Sequence, residues 1–387
     1  MTESRQPERS ASGASREASA EGVGPRGIDG RPIRVLVVDD SAFMRKVLVK
    51  MLEPYDDIEV VATAMDGVFA LEKLERSKPD VVTLDLEMPR MDGRTALQRI
   101  VDDFQLPVIL VSAHTSKGAR ATFEGLAAGA VDFVTKPERI FTTPLDGLSS
   151  DLAQKIRTAA KAKVRRPALR PPELRALRAP AAKEAPATEV VAIAVSTGGP
   201  NALSVLVSQI RGDYRPGILI VQHMPEGFTG QFADRLSKLA SIGVCEAEDG
   251  DVVASGVAYV APGGRHMEVV RASGKLLVRL SFTPPVRGHR PSADVLFQSV
   301  AKNVGARALG MILTGMGEDG AEGLLAIHAA GGHTLAQDEA SSVVYGMPRA
   351  AIERGAVDKV LSLSEMGAYL NALEARHYPQ GGSTWIA

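Results

Sequence analysis

Only one cysteine, Cys245, stands in 387 residues, which excludes an intramolecular disulfide framework and any cysteine-built metal site. Net charge is nearly absent too: 45 Lys and Arg against 46 Asp and Glu leave −1. That balance excludes a surface built as a whole to hold nucleic acid. No apolar run approaches the roughly 18 residues that suggest a membrane span. The first thirty residues lack the apolar stretch of a secretion signal, so a cytoplasmic protein with no membrane insertion is expected. No repeat of fixed 20 to 50 residue period argues for a solenoid. What is present is ordinary globular composition, 45% apolar and 24% charged, in a chain longer than one hydrophobic core usually supports.

Residues 1–32 are Ser, Ala, Gly, Glu and Arg with almost nothing large and apolar. They cannot bury enough surface to offset the entropy of ordering, and a disordered arm is expected. From Arg34 the pattern changes. Short β-rich runs (34-RVLVV, 80-DVVTL, 107-PVILV, 130-AVDFV) alternate with helical spacing such as Phe43, Met44, Val47, Leu48, Met51 and Leu52. This predicts a doubly wound parallel-sheet α/β domain over 33–163, its buried strands reading as unbroken apolar runs. Residues 164–188 are rich in Pro, Ala and Arg and read as a solvated linker. Alternation resumes at 190-VVAIAVS and continues through 217-GILIVQH, 308-ALGMILTG and a helical 321–330. A second α/β domain over 189–375 follows. Gly-punctuated β segments between 243 and 282, with Ser273-Gly274 as a hairpin turn, predict an antiparallel excursion in it. Residues 376–387, including Trp385, read as a flexible tail.

Asp39 and Asp40 follow the first predicted strand and Asp85 follows the third, in 84-LDLEMPRMDG. Ligands of open α/β sheets bind outside the carboxyl ends of the strands, so three carboxylates gathered there make a hard oxygen site suited to Mg²⁺. Ser112 ends the fourth strand and Lys136, in 133-FVTKP, ends the fifth. Together these groups can bind a metal and a phosphoryl group, with Asp85 as nucleophile, Lys136 supplying positive charge and Ser112 a hydrogen bond. Any one of them alone would read as a helix cap or loop acid; five polar groups at the ends of four strands do not.

In order and spacing, strand-DD-S, L-D-L-E-M-P-x-M-D-G, V-S-A and D-F-V-x-K-P resemble the receiver domain of bacterial two-component response regulators, here flavodoxin-like, over about 33–150. The resemblance implies phosphorylation of Asp85 by a histidine kinase. It also implies Mg²⁺ held by Asp40 and Asp85 with Asp39 nearby and a carbonyl from Glu87, and Phe133 as the switch aromatic.

In the second half, 193-IAVSTGGPNAL sets Ser196 where a strand turns into a helix, with glycines permitting the turn and Pro200 suiting a first helical turn. The same turn could cap a helix or bind an anion. A nucleophilic serine needs a base, and the base needs an orienting carboxylate. His223 ends the next strand, while His266, His289, His328 and His333 compete for the part. Asp319 lies in 313-LTGMGEDG, beside its competitor Glu318. Spacing leaves the choice open.

A-V-S-T-G-G-P, V-Q-H-M-P, A-P-G-G-R-H-M and T-G-M-G-E-D-G, in that order, resemble the catalytic domain of the chemotaxis-type protein-glutamate methylesterases, over roughly 189–375. What the resemblance implies is a Rossmann-like serine carboxylesterase with Ser196 as nucleophile, His223 as general base and acid, Asp319 as orienting carboxylate and the Met316 amide as oxyanion donor. The implied substrate is the glutamyl methyl ester on chemoreceptor cytoplasmic helices, with glutamine deamidation by the same chemistry, and no cofactor for the esterase. Two other classes stand beside it: a phosphorylation-dependent binding module with an inert hydrolase domain, and a transcriptional regulator. The second half has no compact helix-turn-helix and no concentrated basic recognition helix, which argues against the latter and for no nucleic-acid partner.

Overall fold

A computed structural model describes residues 30–113, 115–137, 146–162 and 187–377. The predicted N-terminal arm up to residue 29, the linker from 164 to 186 and the tail from 378, Trp385 included, lie outside the described residues.

The N-terminal unit is a five-stranded sheet built from β1 (Ile33–Val38), β2 (Ile58–Ala64), β3 (Val81–Asp85), β4 (Val108–Ser112) and β5 (Asp132–Thr135). Its order is β2-β1-β3-β4-β5 and every pairing is parallel. β3 and β4 are buried along their whole length, as parallel strands covered on both faces must be. The covering helices are α1 (Ala42–Leu52), α2 (Gly67–Ser77), α3 (Gly93–Arg99), α4 (Ser116–Ala127) and α5 (Asp146–Ala159). Their starts are written locally. Ser41, Asp66 and Thr115 each cap a helix by accepting a backbone N–H three residues on, at 3.0–3.3 Å. α1 then buries Met44, Leu48, Met51 and Leu52, one face at helical spacing.

The C-terminal unit has a seven-stranded, wholly parallel sheet. Its strands are β6 (Val190–Val195), β7 (Gly217–Gln222), β8 (Gly243–Glu246), β9 (Val257–Val260), β12 (Ala308–Ile312), β13 (His333–Gln337) and β14 (Lys359–Leu361), in the order β14-β13-β12-β6-β7-β9-β8. The predicted antiparallel excursion is a hairpin of its own, β10 (His266–Ala272) with β11 (Lys275–Ser281), turned by Ser273 and Gly274 at φ 47° and 78°. It forms a separate two-stranded sheet, and β11 is further tied to the 250–253 segment by an antiparallel bridge between Val252 and Leu277. The helices are α6 (Gly199–Gln209), α7 (Thr229–Ser237), α8 (Ala293–Asn303), α9 (Ala321–Ala329), α10 (Met347–Glu353) and α11 (Leu363–His377).

Strand order places both candidate sites. Chain direction across a doubly wound sheet reverses at one point, and the loops there part to leave a crevice. In the first sheet that point lies between β1 and β3, which deliver Asp39 and Asp85. In the second it lies between β6 and β12, which lead into Ser196 and Asp319.

Candidate active site and phosphoacceptor pocket

Carboxylate oxygens of Asp39, Asp40 and Asp85 lie within 4.8 Å of one another. Asp39 and Asp85 are buried while Asp40 is exposed. Lys136, just past β5, places Nζ 2.8 Å from Asp39 and 2.7 Å from Asp85. Burial raises the Asp85 carboxyl above the ordinary range against the pull of Lys136, and the Asp39 charge adds to the rise. Three hard carboxylates around one ammonium leave surplus negative charge in a small space, and that donor set fits Mg²⁺. The Glu87 amide donates to Asp85 at 3.1 Å, which brings the loop carrying the Glu87 carbonyl against this carboxylate; the Glu87 side chain turns out to Lys117. Ser112 is buried with its hydroxyl donated to the Gly118 carbonyl at 3.2 Å and receiving the Thr122 hydroxyl at 2.6 Å. Its oxygen is therefore held toward α4.

Ser196 follows β6 directly. Gly198 at φ 77° makes the left-handed turn into α6 that a side chain would strain. Gly315 stands where a Cβ would meet the Met347 sulfur at 2.3 Å and Ser196 Cβ at 2.9 Å, so only glycine lets that loop run behind the serine. His223 follows β7, its amide bonded to the Val195 carbonyl at 3.1 Å, which ties the two strand ends together. Its Nε2 donates to Asp319 Oδ2 at 2.7 Å. Nδ1 is buried and without a hydrogen-bond partner, so it carries the lone pair of this tautomer. Ser196 and His223 line the same cavity of about 500 Å³, and Nδ1 is the nitrogen left to take a proton from the serine.

Asp319 is 1% exposed and accepts four hydrogen bonds. They come from His223 at 2.7 Å, the Ser292 hydroxyl at 2.7 Å, the Ala293 amide at 2.7 Å and the Asp294 amide at 3.2 Å. The last three are the N-terminus of α8, whose free N–H groups and dipole favour an anion. Burial pushes this carboxyl up, yet the His223, Ser292 and Ala293 donors outweigh it and leave it lowered to about 2. The competitors stand elsewhere. Glu318 is pinned by Arg287 and Arg354. His266, fully buried, accepts the Ser292 amide at Nδ1 and donates Nε2 to the Pro284 carbonyl. His328 pairs with Asp358, His333 opens β13, and His289 stacks on His223. The Met316 amide has no backbone hydrogen-bond partner among the described residues, and Met316 lines the cavity beside Ser196.

The N-terminal unit closes one side of this cavity. Asp132, Gly147, Ser150, Asp151, Gln154, Lys155 and Thr158 all line it. Thr197, next to the serine, donates to Asp132 at 2.6 Å, Thr158 contacts the Met316 sulfur, and Asn201 donates to the Leu126 carbonyl at 2.7 Å. Phe133, 3% exposed, packs on Phe228 with ring centroids 4.8 Å apart, and Phe123 stacks on Phe232 at 5.5 Å. Sequence reading missed the α8 N-terminus and these contacts. Ser292 ahead of the apolar run 293-ADVLF was a readable helix-start signal; the contacts between units had none.

One unit thus brings a serine, an imidazole and a buried carboxylate to one sheet edge, and the other gathers an acidic pocket at the same kind of edge. Residues 35–142 match the response regulator receiver domain and residues 191–370 match the CheB methylesterase model. A protein of Koribacter versatilis (strain Ellin345), named protein-glutamate methylesterase/protein-glutamine glutaminase 2, is 51% identical over 87% of this chain and 94% of its own. Relatives named protein-glutamate methylesterase/protein-glutamine glutaminase in Pyrococcus horikoshii and Salmonella typhi are 47% and 45% identical, over 87% and 88% of this chain and 92% and 96% of theirs. The chain belongs to the protein-glutamate methylesterase/protein-glutamine glutaminase family and is a hydrolase of that type. No helix among the described residues is long and apolar enough to cross a membrane.

Proposed function

We propose that this chain is a phosphorylation-activated esterase that hydrolyses γ-glutamyl methyl esters on chemoreceptor cytoplasmic helices in the cytoplasm, and deamidates receptor glutamines by the same route. Residues 33–163 would be the receiver, 164–188 the linker and 189–375 the catalytic domain. The carrying observation is that one cleft is lined by Ser196 and by His223, whose far edge bonds the buried Asp319 behind it, while the receiver's α5 forms the opposite wall.

Ser196 Oγ attacks the ester carbonyl carbon as His223 Nδ1 takes the hydroxyl proton. The tetrahedral oxyanion is held by the Met316 amide, whose N–H is uncommitted. Collapse breaks the bond to the methoxy oxygen, which leaves as methanol with the proton from Nδ1. Water then attacks the acyl-serine and gives one proton to Nδ1, Ser196 recovers that proton as the glutamic acid departs, and the acid loses its remaining proton to solvent as the carboxylate forms. Asp319 stays ionised throughout and stabilises the imidazolium.

Control runs through Asp85, which would accept a phosphoryl group from a histidine kinase. Asp39, Asp40, Asp85 and the Glu87 carbonyl would hold Mg²⁺, which neutralises phosphoryl oxygens when bound. Lys136 is released from its two carboxylates to pair with the phosphoryl group, and Ser112 must leave Gly118 to reach it. Lys136 follows β5 and Ser112 pairs beside its last residue from β4, and on β5 Phe133 and Asp132 touch the catalytic unit. Movement there shifts the closed arrangement toward an open one. Methanol release from methylated receptor membranes, with and without acetyl phosphate, tests substrate, reaction and control together. Release that ignores the phosphodonor removes the control; no release from either sample removes the substrate.

A further inference from the structure

The His223 ring is held by a hydrogen bond at one edge only, and a ring held so can still swing about that edge. His289 removes the freedom. Its imidazole lies parallel to that of His223, centroids 3.9 Å apart and planes within 5°. We infer that His289 is a positioning residue for the esterase: its neutral ring is the face against which His223 lies, keeping Nδ1 aimed at Ser196 and stabilising the imidazolium formed when Nδ1 takes the serine proton. This inference rests on the triad proposed above and deepens it. No proton passes through His289.

The loop bearing His289 is tied down for such a task. His289 and Val286 exchange backbone hydrogen bonds at 2.9 and 3.0 Å around a turn in which Arg287 and Gly288 have positive φ. The Arg290 carbonyl receives the Gly264 amide, and the Arg290 guanidinium grips the Phe282 and Thr283 carbonyls. His266 fastens both ends, bonding the Pro284 carbonyl and the Ser292 amide. Arg287 anchors to Asp294, Glu318 and Glu322. Ser292, which ends the loop, is itself a donor to Asp319, so one segment sets both the stacking ring and the orienting acid.

A stacking partner for a transient cation must itself be uncharged, because two imidazolium rings in contact repel. Burial, and then the neighbouring His223, lower His289 to about 4. The groups facing it are His223 and Asp319 on its own domain and Asp151 and Lys155 from α5 across the cleft, with Arg287 and Arg290 beside it in the chain. Arg287 is committed to carboxylates, Arg290 to carbonyls and Lys155 to Asp151 and the Phe133 carbonyl. A neutral aromatic face attracts an adjacent cation, more strongly when desolvated.

The test uses the full-length chain activated with acetyl phosphate. His289→Ala should lower kcat for methanol release about tenfold with KM within about twofold, the size of a partly desolvated cation–aromatic contact. His289→Phe, which keeps the face without the nitrogens, should return to within about threefold of wild type. His289→Arg puts a fixed cation on the same face; kcat/KM should fall below the alanine variant and its acid limb should move to lower pH. A folded His289→Phe no faster than alanine, an acid limb unmoved in His289→Arg, or a loss carried by KM alone overturns the inference. Labelling with a fluorophosphonate separates it from the triad. If wild-type protein is not labelled at Ser196, the triad reading fails; if wild type and His289→Ala are labelled equally fast, only the role of His289 fails.

Discussion

Asp85 and Asp319 are two buried aspartates at the carboxyl edges of parallel sheets, and their surroundings drive them in opposite directions. Asp85 faces a like charge, Asp39, across one shared lysine, and burial raises its carboxyl. Asp319 accepts from four donors, which outweigh its burial, so it is lowered to about 2. A carboxylate crowded by negative charge gains by accepting a metal or by forming an acyl phosphate. One saturated with donors is inert as a nucleophile and serves as a fixed anion for an imidazole. Identity and sheet edge are shared, although Asp85 ends β3 and Asp319 lies in the loop beyond β12; what faces the oxygen atoms sets the difference.

Removing the reacting groups should separate the two sites most sharply. Ser196→Ala is expected to lower methanol release by about 10⁴-fold or more while acetyl phosphate still labels Asp85, and His223→Ala should be nearly as severe. Asp319→Asn should cost less, on the order of 10²- to 10⁴-fold, again with phosphorylation intact. Asp85→Asn should do the converse: no phosphoryl incorporation, and an esterase held at its unstimulated rate. Incorporation of phosphate in Asp85→Asn, or loss of it in Asp319→Asn, would dissolve the division of labour.

The same substitutions should have opposite effects on stability at neutral pH without Mg²⁺. Asp85→Asn removes a carboxylate the fold raises and should increase Tm; Asp319→Asn removes one it lowers and should decrease Tm, each by a few degrees. Linkage sharpens this. The contribution of Asp319 is present above its unfolded value near 3.8 and is lost as pH falls toward about 2, worth about 2 kcal/mol. His289 is also lowered, from 6.5 to about 4, so its neutral form supports the fold above 6.5 and that support is lost as pH falls from 6.5 to 4, about 3 kcal/mol. Urea midpoints of wild type and His289→Phe across pH 4 to 7 check it: the slope should flatten in the variant.

The smallest expected effect lies at the seam between units. Asp132→Ala deletes the acceptor for Thr197 beside Ser196 without altering the C-terminal unit. It should raise the unphosphorylated rate roughly threefold or more, the low end of the net worth of one intramolecular hydrogen bond, and leave the phosphorylated rate unchanged. Initial rates with and without acetyl phosphate read this directly. A catalytic region starting near 188, expressed alone, should likewise exceed the unphosphorylated whole and ignore the phosphodonor.

Much of this arrangement was legible in the linear order of residues. Alternating β-rich and helical patterns mark the parallel strands because burial on both faces demands continuous apolar runs. Strand ends then mark Asp39, Asp40, Asp85, Lys136, Ser196 and His223, because loops at that edge alone are free to carry polar groups. Spacing could not choose between His223 and His266, two histidines at the ends of β-rich segments, since the choice depends on which imidazole meets Asp319. Nor could it foresee that Ser112 would turn to Gly118, or that α8 would aim its N-terminus at a carboxylate from another loop.

What the sequence by itself determined is local and periodic: which segments become strands and helices, where each is capped, and which polar residues stand at strand ends. Those outcomes depend on neighbours within a few positions, and a dozen residues of text contain them. What only the tertiary structure decided depends on groups distant in the chain: the opposite charge environments of Asp85 and Asp319, the parallel rings of His223 and His289, and the placing of α5 over Ser196. Electrostatic and packing energies depend on distance in space, and strand order brings residues 66 and 96 positions apart to 3.9 and 2.7 Å.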